Sequence, residues 1–305
     1  MLGLGNGLVG GAALGPEHFV VQFDGTNDHI SIANHSSLNP TAAITVSCWA
    51  NVDAAFGGDG WSHTAHSDGG ISSQTGDHIF VGNQYVGSWR LELTRGGMAT
   101  NPSNTIKAKI AVSDTGGGSA GTLTASWGGV VDTTGSTTLH EIKDFSGWIH
   151  LAMTYDGDNL RLYVNGSNDL YEGGGASLSD TSDDQTVASA SSATINYYGS
   201  AVLPIHIGAD AHGISETSPQ ASTYAKGAID EVAIWDAAVD AAGIAKIYAN
   251  GLNGSDLTSA DGDYDNQGDL QGYWKMNEGT GTSVADSSSN SNTGTLRNSP
   301  TWVGI

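Results

Sequence analysis

Basic residues are scarce: 10 Lys+Arg stand against 32 Asp+Glu, a formal charge of −22 at pH 7, and the first of them is Arg90. That balance excludes nonspecific attraction to nucleic acid or to an anionic membrane as the main role. A single cysteine, Cys48, excludes an internal disulfide, so the fold rests on apolar burial with or without bound ions. Nor does redox chemistry follow from it. Positions 1 to 14, MLGLGNGLVGGAAL, lack the basic start of a secretory signal and are too short and glycine-rich to span a bilayer. They read as an extended arm.

What is present points to strands. Glycine is abundant, 44 of 305 residues, proline stands at only 6, and 38% of residues are hydrophobic. Many short strands joined by tight turns fit this mixture better than a helical bundle. Residues 18–32 alternate around Asp24-Gly25-Thr26-Asn27, as two half-buried strands and a turn would. In 44–52, ITVSCWANV, the residues Val46, Cys48, Ala50 and Val52 share one face, which makes Cys48 a small buried hydrophobe. HIFVG and WRLEL within 77–94 add two strands. WIHLAMTYDGDNLRLYVNG (148–166) is a hairpin turning at Asp156-Gly157. Residues 205–208, 227–235, 273–276 and 295–302 complete nine or ten strands, enough for an all-β, two-sheet antiparallel sandwich.

One helix is expected at 240–250, capped by Asp240, with Val239 and Ile244 as a hydrophobic staple and Asn250-Gly251 as its end. The organisation expected is an N-terminal glycine-rich arm, 1–17, followed by one domain, 18–305. Two stretches rich in Gly, Ser, Thr and Asp, about 96–143 and 167–203, read as insertions. Before Arg90 no carboxylate has a basic neighbour in sequence, so each must face water, accept backbone hydrogen bonds or bind a cation.

FDGTNDHISI (23–32), TVSCWANV (45–52), the 148–166 hairpin, IHIG (205–208) and GAIDEVAIWDAAVDAAGIAKIYANG (227–251) occur in the order of a known group. They resemble the concanavalin A-like lectin/glucanase superfamily, especially its laminin G-like and pentraxin-like jelly rolls. YWKMNEGTGTSVADSSSNSNTGTL (273–296) is similar to a family segment that precedes the FDG strand, yet here it comes last. Either the chain ends lie side by side and complete one sandwich, or the C-terminal strands pair with a neighbouring subunit. A chain without a signal peptide that opens on a short Gly/Leu-rich arm also resembles lectin-like proteins of marine tailed bacteriophages. That resemblance implies a virion surface component.

The resemblance implies a structural calcium at a DSSGN-type loop, matching Asp286 to Asn290, with Asp286, Asn290 and Asp230 as candidate ligands. Ser289 replaces the usual glycine, and an Asx-type turn satisfied by its own backbone is the alternative. The acidic run DGDYDNQGD (261–269) departs from an EF-hand at its sixth and twelfth positions and reads as a turn. His63, His66 and His78 with Asp59 and Asp68 read as a polar loop. Sugar binding calls for an aromatic plane beside hydrogen-bonding groups, and Trp61, Trp89, Tyr197 and Tyr198 are the candidates, whereas Trp49, Trp148, Trp235 and Trp274 read as packing.

No catalytic residues emerge. Retaining glycoside hydrolysis needs two carboxylates about 5–5.5 Å apart, and Asp230 and Glu231, adjacent on a strand, are expected to face opposite ways. Glu92 and Glu278 stand alone. The expected function is therefore a noncatalytic, lectin-like virion protein of a tail, fibre or head decoration, at the extracellular virion surface. It is expected to bind glycans or host surfaces, other virion proteins and copies of itself, and neither to bind nucleic acid nor to insert into a membrane. A glycoside hydrolase or lyase of the same superfamily, and a structural spacer without ligand, are the alternatives.

Overall fold

In the computed structural model, which describes residues 18–58, 78–83, 88–94, 105–114, 121–127, 146–168, 187–189, 193–197, 204–209 and 224–305, the alternating segments pair into two antiparallel sheets. In chain order the first strands are β1 (Phe19–Asp24), β2 (His29–Ile32), β3 (Ile44–Asn51), β4 (His78–Gly82), β5 (Trp89–Thr94) and β6 (Thr105–Asp114). There follow β7 (Gly121–Trp127), β8 (Ile149–Tyr155), β9 (Asn159–Val164), β10 (Val187–Ser189), β11 (Ala193–Ile195), β12 (Ile205–Ile207) and β13 (Lys226–Trp235). Helix α1 (Ala241–Asn250) precedes β14 (Leu270–Trp274), β15 (Ser283–Val284), β16 (Gly294–Arg297) and β17 (Thr301–Gly304).

Among the described residues one sheet has eight strands in the order β10-β9-β8-β3-β13-β1-β17, with β14 also on β13, and the other has nine, β11-β6-β5-β4-β12-β2-β16-β15, with β7 on β6. Alternation explains the layering. The inward positions of β3 (Val46, Cys48, Ala50), β1 (Val21, Phe23) and β8 (Leu151, Met153) pack against Ile30, Ile32, Phe80, Leu91 and Ile106 of the other sheet in one apolar core. Cys48 is enclosed there, and burial pushes its thiol pKa up. Gly227 is required where β13 passes β3, because a Cβ would sit 2.4 Å from the Asn51 carbonyl oxygen at φ +133°.

The outward positions of the eight-stranded sheet carry a second cluster. Ala152, Tyr163, Ala233, Trp235 and Tyr273 pack there against Val239, Ile244 and Ile247 of the helix segment and against Tyr264. Helix α1 forms as expected: the Asp240 side chain accepts from Gly243 N at 2.8 Å, and Gly251, at φ +79°, ends it. At the hairpin, Asp156 Oδ1 accepts from Asp158 N at 2.9 Å and Asn159 N at 2.7 Å, which fixes the β8–β9 register.

The C-terminal strands pair within the chain. β17 lies against β1 (Val21↔Trp302), β16 against β2 (Leu296↔Ile30), and Ile305 N donates to the His18 carbonyl at 2.9 Å. The stretches expected as insertions contain strands of the sheets themselves. β6 and β7 lie within 96–143, and β10 and β11 within 167–203. β6 pairs with β5 over six residues, an extension of the nine-stranded sheet.

Candidate functional site

Strand β13 is buried along nearly its whole length, and it has two different partners on one edge. Its first part pairs with β1 (Ile229↔Val21) and its second with β14 (Val232↔Trp274). Asp230 and Glu231 occupy the hand-over. On the opposite edge the β3 register slips, Asp230 facing Trp49 and Ala233 facing Ser47, so Glu231 and Val232 share the place opposite Cys48. This is a β-bulge, which adds one residue to a strand and re-aims the side chain it carries. Glu231 takes the left-handed conformation, φ +49°.

The expectation that Asp230 and Glu231 face opposite ways is overturned by this bulge. Their carboxylates converge with the imidazole of His18, which sits immediately before β1, and one ligand atom from each of the three lies within 4.8 Å of the others. His18 Nε2 is 2.6 Å from Asp230 Oδ2. The Tyr273 hydroxyl donates to Glu231 Oε2 and lies 3.0 Å from the Ser255 carbonyl oxygen. Asp230 is fully enclosed, and His18 and Glu231 are each 6% exposed. Three atoms of the cluster have no hydrogen-bond partner: His18 Nδ1, Asp230 Oδ1 and Glu231 Oε1.

Electrostatics follow from enclosure. Burial lifts the Asp230 carboxyl well above the usual range, with the Glu278 charge adding to it and the Glu231 backbone N–H opposing it. Glu231 is pushed up to about 8, first by burial and then by the Asp230 charge, against the Tyr273 hydrogen bond and the Lys275 and His18 charges. Burial lowers the pKa of His18, and the Glu231 carboxylate opposes that. Two enclosed carboxylates and one imidazole form a donor set for a cation or a seat for a shared proton. Neither carboxylate is open to solvent to any large extent, in contrast to an exposed pair.

The structure does not assemble Asp286, Asn290 and Asp230 as one ligand group. Asp286 bridges to Trp274 on the side of β14 away from β13, whereas Asp230 turns to His18. Asp286 Oδ1 accepts from Tyr273 N and Ser288 N, both at 2.8 Å, and Oδ2 from Ser288 Oγ at 2.8 Å and Asn292 N at 2.7 Å. Asn290 Nδ2 donates to the Gln271 carbonyl and to Gln271 Oε1, each at 3.1 Å. Protein donors thus already occupy both carboxylate oxygens, in the manner of the Asx-turn alternative, and a calcium ion there would have to displace them.

Among the aromatic candidates, Trp89 is enclosed in the core at 1% exposure, so neither face of its ring is open to a sugar. Its position inside the sandwich follows from β5, where Trp89, Leu91 and Leu93 share the inward face. Tyr197 packs against the same core and its hydroxyl donates to the Pro40 carbonyl at 2.8 Å. Trp61 and Tyr198 lie outside the described residues, as do His63, His66, Asp59 and Asp68; His78 opens β4. Glu92 is enclosed and pairs with Arg90 at 2.6 Å and Lys109 at 2.5 Å. Glu278 accepts from Ala285 N at 2.7 Å.

Sequence reasoning missed His18 and Glu231 as partners of Asp230. A signal for the second was present: two consecutive acidic residues interrupt GAIDEVAIW, and a strand covered on both faces accommodates such a pair only by breaking its alternation. Nothing in the sequence marks His18.

The family model described as the concanavalin A-like lectin/glucanases superfamily, of laminin G type, matches residues 109–245. Among solved structures, a Bacteroides ovatus protein provisionally described as carbohydrate binding is similar at 16% identity and a TM-score of 0.52, over 96% of this chain and 61% of that one. The chain thus spans less than two thirds of that relative's length. Domains LG4-5 of the mouse laminin α1 chain are similar at 11% identity and a TM-score of 0.38, over 73% of this chain and 44% of theirs. Tailspike protein 2 of an Escherichia coli O157:H7 bacteriophage is similar at 14% identity and a TM-score of 0.38, over 87% of this chain and 31% of its own. No curated protein sequence matches the chain. Taken with the two antiparallel sheets, the family match establishes the fold as a concanavalin A-like jelly-roll sandwich.

Proposed function

We propose that the protein is a noncatalytic, lectin-like component of a virion surface, a tail, fibre or head decoration, that holds glycans or host-surface structures on the segments joining its strands. Copies of the chain associate with one another and with other virion proteins. The observation that carries the reading is the sandwich itself, shared over 96% of the chain with a protein provisionally described as carbohydrate binding. Two features support it. The stretches 59–77, 128–145, 169–186 and 210–223 are each longer than the few residues that usually connect neighbouring elements, and long connections commonly carry function. The paired carboxylates Asp230 and Glu231 are enclosed, which favours binding over hydrolysis.

A glycan array and a polysaccharide panel assayed for new reducing ends test this reading together. Retention on glycans without cleavage is expected. Newly formed reducing ends would overturn it in favour of a hydrolase, and blank results from a protein that still assembles would leave a structural spacer. Light scattering tests association: an oligomer is expected, and a monodisperse monomer contradicts that part.

A further inference from the structure

We propose that His18, Asp230 and Glu231 bind one divalent cation of the zinc class, which ties the start of β1 to the bulge of β13. This site is independent of glycan binding.

Charge is the first argument. Two carboxylates lie side by side with less than a tenth of either residue exposed, and removing even one such ion from water costs several kcal/mol unless it is compensated. Among the described residues no arginine pairs with them. Lys275, whose charge acts on Glu231 from a distance, places its ammonium 5.2 Å from the centre of the Tyr273 ring and 3.5 Å from Asp256 Oδ1. A doubly charged ion neutralises both carboxylates at once.

Unused donor capacity is the second. His18 Nδ1, Asp230 Oδ1 and Glu231 Oε1 are buried without partners, although buried polar atoms are nearly always bonded. Tyr273 holds Glu231 Oε2 and so orients its free Oε1, while His18 Nε2 faces Asp230 Oδ2 at 2.6 Å, where an ion takes the place of the proton between them. Such outer contacts fix ligand direction in metal sites.

Donor type and spacing select the ion. The ligand atoms lie mutually within 4.8 Å, and side-chain rotations that draw them in to about 3.4 Å place each about 2.0–2.2 Å from a common tetrahedral centre. An imidazole with two carboxylates suits zinc or a similar first-row ion. Calcium requires about 6–8 oxygens at about 2.3–2.6 Å. Three protein ligands leave a further position for water.

The position in the fold gives the ion something to do. β13 changes partners from β1 to β14 at Asp230 and Glu231, so neither strand bridges the hand-over with backbone hydrogen bonds of its ladder. An ion held by His18 on one side and by the bulge on the other closes that gap.

The test uses untagged, full-length wild-type protein stripped with a chelator and then titrated separately with Zn²⁺, Mn²⁺, Ca²⁺ and Mg²⁺, reading bound metal per chain and melting temperature. One equivalent of Zn²⁺ is expected, with a rise of about 5 °C at a hundredfold excess over Kd. Co²⁺ loaded in its place is expected to give visible bands of a nitrogen- and oxygen-ligated ion. Asp230→Asn and Glu231→Gln are each expected to weaken Zn²⁺ binding at least tenfold, whereas Asp286→Asn leaves the stoichiometry at one. The wild-type titration stands alone if a variant does not fold. Absence of stoichiometric uptake, uptake of Ca²⁺ alone, or undiminished Zn²⁺ binding by a folded Glu231→Gln protein overturns the proposal. The first of these outcomes leaves a shared proton as the occupant of the site.

Discussion

His150 lies on the outward face of β8 against Trp49, with ring centroids 5.2 Å apart, and neither of its ring nitrogens has a hydrogen-bond partner. Burial lowers its pKa from the ordinary 6.5 to about 3. The unfolded chain therefore takes up a proton first on acidification. The contribution is complete above pH 6.5 and is lost as the pH falls toward 3, at about 1.4 kcal/mol per pH unit. Denaturant melts between pH 6.5 and 4 are expected to show a steeper loss in the wild type than in His150→Phe; parallel slopes would contradict this. Residue identity was legible where alternation alone decides it: Val46, Cys48 and Ala50 point inward as their spacing implies. It failed at Trp89, whose place at the start of a strand says nothing about which layer covers it, and at Glu231, whose direction depends on a bulge.

Elements with local punctuation were readable. Asp156-Gly157 and Asp240 with Gly251 carry their hydrogen bonds within a few residues, so the hairpin and the helix appear with nearly the expected bounds. Asp240→Ala is expected to cost about 1 kcal/mol, because the cap to Gly243 N is lost while the apolar face of α1 stays packed. Chemical denaturation measures this, and a neutral substitution would mean that packing on Trp235 and Tyr273 alone fixes the helix start. Three of the short strands were not readable, although β12, also of three residues, was expected at 205–208. β10, β11 and β15 have three residues or fewer, which gives no period to detect. β6 and β7 show weak alternation in IKAKIAV (106–112) and TLTASW (122–127), but the long Gly/Ser-rich sequence around them reads as an insertion and hides their place in a sheet. The hand-over on β13 was out of reach, since it joins segments more than two hundred residues apart.

Across the whole molecule, 32 acidic residues against 10 basic ones repel one another, and folding concentrates them. Raising NaCl from 10 to 300 mM is expected to raise the melting temperature, because the screening length falls from about 30 Å at 0.01 M to less than about 10 Å above 0.1 M. A lower melting temperature in salt would mean that attractive pairs such as Arg90 with Glu92 outweigh the net repulsion. The order of the C-terminal segment is also a property of this scale. Sequence left open whether it pairs within the chain, and the β17–β1 ladder with Ile305 bonded to His18 is the intrachain solution. The proposed function has this sandwich bind sugars without cutting them. Reducing-end release from the polysaccharide that retains the wild-type protein best, measured beside Glu231→Gln, tests it most directly. No release above buffer from the wild type is expected, whereas release that Glu231→Gln abolishes would make the enclosed carboxylates catalytic and contradict the account.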